Sequence, residues 1–431
     1  MTKQVAEKNR KQAQNAPLAL VTAMQQLVLP LVAGIEATKG GLLAFVHQMG
    51  MLALQELLAL DAAALAGPKG KHAMNRTHHH WGTTRTPLPL GGRNVVVERP
   101  RVRQKGGGEA ELPTLEAFRH SDPMAARVLE QIVLGVSTRG YDRSLESVPD
   151  ELETRGTSKS AASRALIDKT AEKLAEFVER SLADVAIVAM FIDAIEVGGK
   201  AVIVALGVTI DGTKVPLGLA LGSTENHVVA TDLLQGLLTR GLRVEDRLLF
   251  VIDGGKGTRK AILDVFGNRA LIQRCQVHKM RNVREHLPEA RRAYVQRQMR
   301  AAYKSTTFKT AKGLLQQLAS WLESNGEDSA AASVREGLDE TLTVLRLGLS
   351  KTLCRTFSTT NAIENMNGGI RRVGRNVKRW RGETMISRWV ALGIAEAAKK
   401  FRRVKGHQQM SSLIAALRPN TKSVESDKKV A

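Results

Sequence analysis

The sequence predicts an α/β protein in which a mixed sheet is followed by a long helical segment. Three observations favour this class. Two apolar runs rich in Val and Ile, Val185–Val197 and Arg247–Lys256, have the composition of strands covered on both faces. Between them, two further apolar stretches meet at Asp211–Gly212, the strongest short-range signal for a β-hairpin. From Met280 to Phe357 the apolar residues instead recur with helical periodicity.

The chain is long and strongly basic. Its 431 residues predict two to four structural units. Lys and Arg total 64 against 42 Asp and Glu, a net charge of +22, and this excess indicates a polyanionic partner. The basic residues are spread along the chain and do not form one amphipathic helix, so a nucleic acid is favoured over an anionic membrane.

Cysteine content and the N-terminal sequence predict a cytoplasmic protein. The chain contains two cysteines, Cys275 and Cys354, which fits a reducing compartment and excludes a disulfide scaffold. The polar start of the chain has no secretory core behind it. Charged, Gln and Pro residues interrupt the apolar stretch Leu18–Leu60, which therefore predicts two packed helices and no membrane span.

Two N-terminal regions differ in character. Residues 1–67 have helical periodicity and are predicted to form a helical region, a candidate dimerisation element. Residues 68–112 are rich in Gly, Pro, Arg and His, and one alternating stretch predicts an exposed strand or hairpin arm. The charge of this arm predicts contact with DNA, although a solvated basic linker would explain the same composition. The DNA-contacting residues expected here are Arg99, Arg101 and Arg103.

Residues 113–182 return to helical periodicity and predict a helix-turn-helix-like DNA-binding domain. A short helix is expected after Ser137, a break at Pro149, and a second helix capped by Ser158. Polar and basic residues open the second helix, as in helices that enter a DNA groove. Pairs of short helices are also common in helical regions of any function. The DNA-contacting residues expected here are Ser158, Lys159 and Arg164.

Residues 183–280 are predicted to form the first part of the α/β core. The expected order is strand Val185–Val197, hairpin strands Ala201–Ile210 and Val215–Leu221, helix His227–Arg240, the strand ending at Asp253, helix Thr258–Phe266 and strand Ala270–Cys275. The first helix is expected to be capped near Ser223 or Thr224.

Three further regions complete the predicted organisation. Residues 281–357 form an all-helical segment. Residues 358–405 form the second part of the core, with helices at Ala362–Arg371 and Met385–Lys400. Residues 406–431 are expected to be a basic, partly disordered tail, because the end of the chain is polar and charged.

Three acidic residues stand out from their surroundings. Asp193 interrupts an apolar strand, Asp253 ends a second strand, and Glu364 lies near the start of a helix. A carboxylate in a buried strand costs several kcal/mol unless something compensates it, and a bound Mg²⁺ is a common compensation. Each aspartate could instead cap a strand end or form a buried ion pair. Glu364 could cap its own helix, because Asn361 three residues earlier makes a variant capping box.

A basic segment follows Glu364. Arg371 lies seven residues on, two turns along the same helical face, where it could reach a phosphate. The mixture of cations and an aromatic ring in this segment suits backbone contact with base stacking, and a basic surface is the alternative. The residues expected to bind DNA are Arg371, Arg372, Arg375, Lys378, Arg379 and Trp380. Glycines 254, 255 and 257 are expected to leave room for a phosphate backbone.

Cys275 and His278 form a CxxH pair after the strand that follows Asp253. A structural zinc site needs four ligands, and the sequence offers no second pair at a suitable spacing. Packing or substrate positioning near the acidic residues is therefore the favoured role.

These motifs resemble those of the bacterial Mutator-type insertion-sequence transposases. The resemblance rests on IDAIEV around Asp193, VIDGGKG around Asp253, QRCQVHKMRN at Gln273–Asn282 and TTNAIENMNGGIRR at Thr359–Arg372, and it covers about residues 71–405. The paired glycines Gly368–Gly369 are a departure that weakens the helix by about 1 kcal/mol each. The apolar segment before Lys71 has no match.

The resemblance implies an RNase H-like core, interrupted by an all-helical insertion, with Asp193, Asp253 and Glu364 as a DDE triad. It implies two Mg²⁺ ions, replaceable by Mn²⁺, that activate water for hydrolysis at an element end; the freed 3′-hydroxyl then attacks another strand. The implied partners are the terminal inverted repeats, target DNA and a second copy of the chain, in the nucleoid. Two alternatives stay open: an inactive DNA-binding regulator, and an RNase H-like nuclease without strand transfer.

Overall fold

The computed structural model describes residues 39–70, 76–90, 93–120, 123–145, 154–155, 158–244 and 246–418. The chain divides into two compact units, Met1–Leu166 and Ile167–Ala431. The α/β class is confirmed, because a mixed sheet and many helices are present.

The first unit is built around a hairpin. Its strands β1 (His78–Leu90) and β2 (Arg93–Gln104) pair antiparallel, and the short β3 (Thr154–Arg155) adds to the start of β2. The arm at residues 68–112 is therefore a hairpin and not a linker. One face of helix α1 (Lys39–Ala66) packs on it, and the two share an apolar core. The core includes Leu54, Leu58, Ala62, Leu88, Val95 and Val97.

Helix α1 is the one described helix long and apolar enough to cross a membrane by length and composition, over Met49–Ala66. Its mean hydropathy over that window is 1.5, and 28% of the window is buried. The buried residues recur at helical spacing and face the hairpin, as expected of a helix that covers a sheet. Residues 18–38, about half of the segment Leu18–Leu60 that is predicted to form two helices, lie outside the described residues.

Three more helices follow the hairpin in chain order: α2 (Pro113–His120), α3 (Pro123–Val133) and α4 (Lys159–Glu179). The short helix expected after Ser137 is a 3₁₀ turn at Asp142–Ser144. Ser158 caps α4 as predicted, because its Oγ accepts the amide of Ala161 at 3.2 Å. Residues 146–153, which include the expected break at Pro149, lie outside the described part, so the helix-turn-helix stays a prediction.

In the described residues the second unit contains a five-stranded mixed sheet with the order β6-β5-β4-β7-β8. β4 pairs antiparallel with β5, which pairs antiparallel with β6, whereas β4, β7 and β8 run parallel. The strands match the predicted positions within a few residues. They are β4 (Ile187–Val197), β5 (Lys200–Thr209), β6 (Lys214–Gly222), β7 (Leu248–Ile252) and β8 (Ala270–Arg274).

Each face of this sheet has its own apolar core. On one face, helices α5 (His227–Thr239) and α6 (Lys256–Phe266) pack against residues such as Ile192 and Phe250. The other face, which includes Phe191 and Val251, packs against helices from the C-terminal third of the chain. Because strand residues alternate between faces, Asp193 shares the second face with Phe191. Covered faces explain why the strands are continuously apolar.

Residues 276–357 are helical, as predicted. Their helices enclose a separate apolar core with members such as Val295, Leu315 and Leu322. Buried hydrogen bonds fix this segment to the sheet: Gln273 Nε2 donates to the carbonyl of Thr341 at 2.8 Å. The helices are α7 (Gln276–Glu285), α8 (Glu289–Tyr303), α9 (Phe308–Ser324), α10 (Asp328–Arg335), α11 (Leu338–Thr341), α12 (Thr343–Arg346) and α13 (Lys351–Phe357).

The C-terminal helices are α14 (Asn361–Gly374), α15 (Glu383–Ala398) and α16 (Met410–Leu417). α14 and α15 match the two helices predicted there. In the predicted tail, 406–431, Met410, Leu413 and Leu417 on α16 are buried in the core, so the first part of this region is packed structure. Residues 419–431 lie outside the described part.

The cap of α5 differs from the prediction. Asn226 caps this helix by accepting the amide of Val229 at 3.1 Å, in place of the predicted Ser223 or Thr224. The reason is that the helix begins at His227, as predicted, so the cap position is the residue directly before it, and Ser223 and Thr224 lie too early in the chain.

Candidate active site

Two aspartates lie level with each other at one edge of the sheet. β4 and β7 are parallel neighbours, and Ile192 is paired with Ile252. Asp193 directly follows Ile192, and Asp253 directly follows Ile252. Neighbouring strands are about 4.8 Å apart, so this register sets the two carboxylate-bearing residues side by side. The third parallel strand ends at the same level, because the amide of Cys275 donates to the carbonyl of Ile252 at 2.7 Å.

Asp193 is half-buried and is held by one amide. Asn367 Nδ2, on α14, donates to Asp193 Oδ2 at 2.8 Å. Burial and the neighbouring carboxylate of Asp253 raise the pKa of Asp193 to about 6, from 3.8, against an opposing effect of His278. A carboxyl group with a raised pKa in a cleft is a candidate functional group.

Asp253 lies in a turn between β7 and α6. Its Oδ1 accepts the amide of Gly255 at 2.9 Å. The glycines around it serve close packing within the chain: a Cβ on Gly257 would lie 2.9 Å from the amide nitrogen of His227. The room expected for a phosphate backbone is thus filled, at position 257, by the start of α5.

Glu364 is on the first turn of α14, and its carboxylate is held by a hydroxyl. Thr360 Oγ1 donates to Glu364 Oε1 at 2.7 Å, and His278 Nε2 lies 3.9 Å from the same oxygen. The capping box considered for Asn361 and Glu364 is wrong, because the cap position is Thr360 and no side chain caps the helix amides there. The Glu364 carboxylate is therefore oriented by Thr360 and lies close to His278, and it does not cap its own helix.

Cys275 and His278 border this group of acids. Thr360 Oγ1 lies 3.4 Å from both Cys275 Sγ and His278 Nδ1. Burial opposes ionisation of Cys275, but hydrogen bonds with His278 and Thr360 outweigh it and lower the pKa of the thiol. The hydrogen bond with Cys275, and the carboxylates of Asp253 and Glu364, raise the pKa of His278. These contacts place Cys275 and His278 beside the acidic residues, and their role in packing or substrate positioning stays a prediction.

The donor set at this edge fits a hard divalent cation. Carboxylate oxygens are the ligands that Mg²⁺ prefers. Within the described residues, neither Asp193 nor Asp253 forms an ion pair with Lys or Arg. Two buried oxygens on or beside α14, Asn367 Oδ1 and Thr359 Oγ1, have no hydrogen-bond partner. In the same part of the chain no three acidic, His or Cys side chains converge into a complete ligand set.

Sequence reasoning missed three residues of this site. Asn367 and Thr360 are buried and contact Asp193 and Glu364. Both lie within four residues of Glu364 on the same helical face, and that spacing was the available signal. The third, Glu225, precedes the cap of α5 and reads in the sequence as an ordinary polar loop residue.

The basic residues after Glu364 lie mostly on the surface. Arg371 and Arg372 end α14, and the exposed cations of the loop that follows are Arg375, Lys378 and Arg379. Trp380 differs, because it is half-buried, covers Gly198 and makes an edge contact with Trp389 at 6.3 Å. Its ring contributes to packing, which gives the predicted base-stacking role no support.

In the first unit the arm's arginines have partners of their own. Arg99 and Arg101 both bind Glu109, at 3.0 and 2.9 Å. The guanidinium of Arg103 lies 4.3 Å from the ring centre of Trp81. Glu109 thus neutralises part of the charge predicted to contact DNA. On α4, Lys159 and Arg164 are exposed.

Replacing Thr360 with Val is expected to lower the turnover of this site about tenfold to hundredfold, the usual effect of losing a hydrogen bond that orients a metal-facing ligand. Val keeps the volume but cannot donate to Glu364. Turnover measured alongside the thermal unfolding midpoint checks this. Thr356→Val is the matched control, since it removes a hydroxyl bonded to the Thr352 carbonyl on α13. Equal losses in the two variants would contradict the expectation.

The chain is similar to a set of known proteins. Residues 43–404 match the family described as "Transposase, Mutator family". A transposase for insertion sequence element ISRM5 from Rhizobium meliloti is 30% identical over 74% of this chain and 79% of its own. A transposase for IS905 from Lactococcus lactis is 26% identical over 78% of this chain and 85% of its own. A transposase for IS256 in Tn4001 from Staphylococcus aureus is 26% identical over 69% and 79%.

Proposed function

Because the chain belongs to the Mutator family of transposases, we propose that it binds the terminal inverted repeats of an insertion sequence and catalyses strand cleavage and strand transfer. Asp193, Asp253 and Glu364 act as a DDE triad. One observation carries the proposal: the parallel register of β4 and β7 sets Asp193 beside Asp253, and Asn367 ties the helix of Glu364 to Asp193.

The proposed cofactor is a pair of Mg²⁺ ions, for which Mn²⁺ can substitute, held by the three acids. When bound, such ions lower the pKa of the attacking oxygen and stabilise the leaving oxygen of a phosphodiester. The protein's own residues supply orientation. Asn367 fixes one oxygen of Asp193, and Thr360 fixes one oxygen of Glu364. Rigid support of this kind is what a metal-dependent site requires.

The reaction then has two steps. Water hydrolyses the phosphodiester at an element end and frees a 3′-hydroxyl. In the second step this hydroxyl attacks a phosphodiester of the target strand in the same site: the new bond to phosphorus replaces the bond to the target's 3′-oxygen, which leaves as a 3′-hydroxyl. Arg371 lies seven residues after Glu364 and is exposed, so it can neutralise phosphate charge at the site. The exposed cations that follow α14 extend this contact along the DNA backbone.

The wider organisation supports the same proposal. A mixed sheet with one antiparallel hairpin and three parallel strands, interrupted by helices α7–α13 before Glu364, suits an RNase H-like core with an all-helical insertion. The basic hairpin and the region around α4 are the proposed recognition elements for the terminal repeats. Two ends must be held together, so a homodimer is the smallest functional assembly, acting on the nucleoid in the cytoplasm.

The proposal is tested with labelled DNA that carries the gene's own flanking ends. Wild-type protein with Mg²⁺ is expected to give cleaved and joined products, and Asp253→Asn is expected to give neither. Binding of the same DNA, measured by mobility shift, controls for folding of the variant. Asp246→Asn, an exposed acid before β7, is a matched control that keeps activity.

The other outcomes identify the alternatives. Binding without cleavage by the wild type points to an inactive DNA-binding regulator. Cleavage without joining points to an RNase H-like nuclease. Full activity of Asp253→Asn would contradict the proposed triad.

A further inference from the structure

Glu225 lies in the loop between β6 and α5, one residue before the cap Asn226. Its place in the sequence gives it no connection with Asp253, which is 28 positions away on another strand. The structure nevertheless brings the two carboxylates together. A Cβ on Gly255 would lie 2.8 Å from Glu225 Oε1 and 3.4 Å from Asp253 Oδ1. A side chain at position 255 would therefore crowd both carboxylates.

The carboxylate of Glu225 is held in place from α6. Thr258 Oγ1, on the first turn of that helix, donates to Glu225 Oε1 at 2.7 Å. No Lys or Arg forms an ion pair with Glu225 among the residues that the structure describes. Burial and the neighbouring Asp253 accordingly raise the pKa of the Glu225 carboxyl.

A purely structural role explains part of this arrangement. A carboxylate near the N-terminus of α6 is favourable, and Gly255, the cap residue, offers no side chain of its own. That role does not require a second negative charge beside Asp253, which is unfavourable without a cation. A separate feature beside Asp193 suits a cation held by these acids: Asn367, 1% exposed, bonds Asp193 through Nδ2, while its Oδ1 has no hydrogen-bond partner among the described residues.

We propose that Glu225 is a fourth acidic residue of the active site, facing the divalent cation that Asp253 binds. The inference rests on the proposed function, because it assumes that Asp193 and Asp253 hold such a cation. Glu225 adds a charged oxygen from the side of the sheet covered by α5 and α6, whereas Glu364 approaches from the opposite side on α14. The cation is then contacted by acids from both sides of the sheet edge.

The test is Mn²⁺ binding by the full-length protein without DNA, with free Mn²⁺ read by electron paramagnetic resonance. Glu225→Gln keeps an oxygen that accepts the hydrogen bond from Thr258, so it removes charge and preserves the anchoring of α6. We expect its Mn²⁺ dissociation constant to rise about tenfold or more. The Mn²⁺ concentration that half-saturates cleavage should rise with it. Asp232→Asn, an exposed acid on α5, is the control and should bind as the wild type does.

A further variant, Asp253→Asn, distinguishes failure of the inference about Glu225 from failure of the proposed function. If Asp253→Asn weakens Mn²⁺ binding and Glu225→Gln does not, the inference about Glu225 is wrong and the proposed function stands. If neither variant changes Mn²⁺ binding, the proposed metal site fails and Glu225 fails with it. Weaker binding in Glu225→Gln without a lower thermal unfolding midpoint in metal-free buffer supports the inference, because a purely structural role would lower the midpoint and leave Mn²⁺ binding unchanged.

Discussion

Replacing Asp193 with Asn is expected to abolish strand cleavage and, at the same time, to stabilise the metal-free protein. The loss of activity should be on the order of a thousandfold or more, because the Asp193 carboxylate would hold a metal ion that stabilises the negative charge of the phosphodiester transition state by several kcal/mol. The gain in stability follows from the site itself. Burial and Asp253 disfavour the ionised form of Asp193, and an amide can still bond Asn367.

The pH dependence of stability has a definite sign. The pKa of Asp193 is about 6 in the folded protein against 3.8 ordinarily, so the fold favours the protonated acid. The contribution of Asp193 to the free energy of unfolding is fully present below pH 4 and is lost as the pH rises toward 6. Its loss should cost about 1–2 kcal/mol, allowing for partial exposure and for the coupled groups Asp253, Glu364 and His278. In Asp193→Asn the free energy of unfolding should no longer fall between pH 4 and pH 6 because of this group.

Urea unfolding from pH 4 to 8 without divalent cations measures the effect. Glu196→Gln is the control, because Glu196 is exposed on the same strand. Added Mg²⁺ should stabilise the wild type at pH 7.5 and leave Asp193→Asn unchanged. An Asp193→Asn protein less stable than the wild type at pH 7.5 in metal-free buffer would show that the carboxylate is compensated within the chain.

Replacing Gly393 with Ala is expected to destabilise the protein by about 3 kcal/mol and to lower cleavage about a hundredfold. Gly393 lies on α15 where that helix crosses α14. An added Cβ would sit 2.6 Å from Cα of Ile370, and a backbone atom cannot rotate away. α14 must therefore move, and it carries Glu364 and Asn367. Urea unfolding and the cleavage assay on flanking-end DNA measure the two effects.

The glycine pair on α14 provides the control for this prediction. Gly368 is exposed, and a Cβ there would meet no atom within 4 Å, so Gly368→Ala should stabilise the helix by about 0.5–1 kcal/mol and keep activity. Gly369 differs, because its Cβ would lie 2.9 Å from Cβ of Ala397 on α15. Glycine at position 369 therefore weakens α14 but allows α15 to pack closely against it, whereas glycine at position 368 has no such packing role. Similar effects of Gly368→Ala and Gly393→Ala would contradict the helix-crossing argument.

The sequence by itself determined the elements of the core and the three acids. Strands covered on both faces read as continuous apolar runs, so an acid such as Asp193 within one is visible without a structure. The hairpin at Asp211–Gly212 and the helical segment before Glu364 are likewise predictable, because turns and helical periodicity depend on residues close together in the sequence. The resemblance to the family's motifs added the expectation that Asp193, Asp253 and Glu364 form one site.

Only the tertiary structure decided which other side chains meet these acids. Asn367 and Glu225 make their contacts with Asp193 and Thr258 across 174 and 33 positions, which no local pattern records. For Thr360 the four-residue spacing from Glu364 was a local signal, but only the structure shows that its hydroxyl donates to that carboxylate. The structure likewise assigned Trp380 to packing and two of the arm's arginines to Glu109. Register, helix crossing and burial depend on residues far apart in sequence, and the folded chain alone brings such residues together.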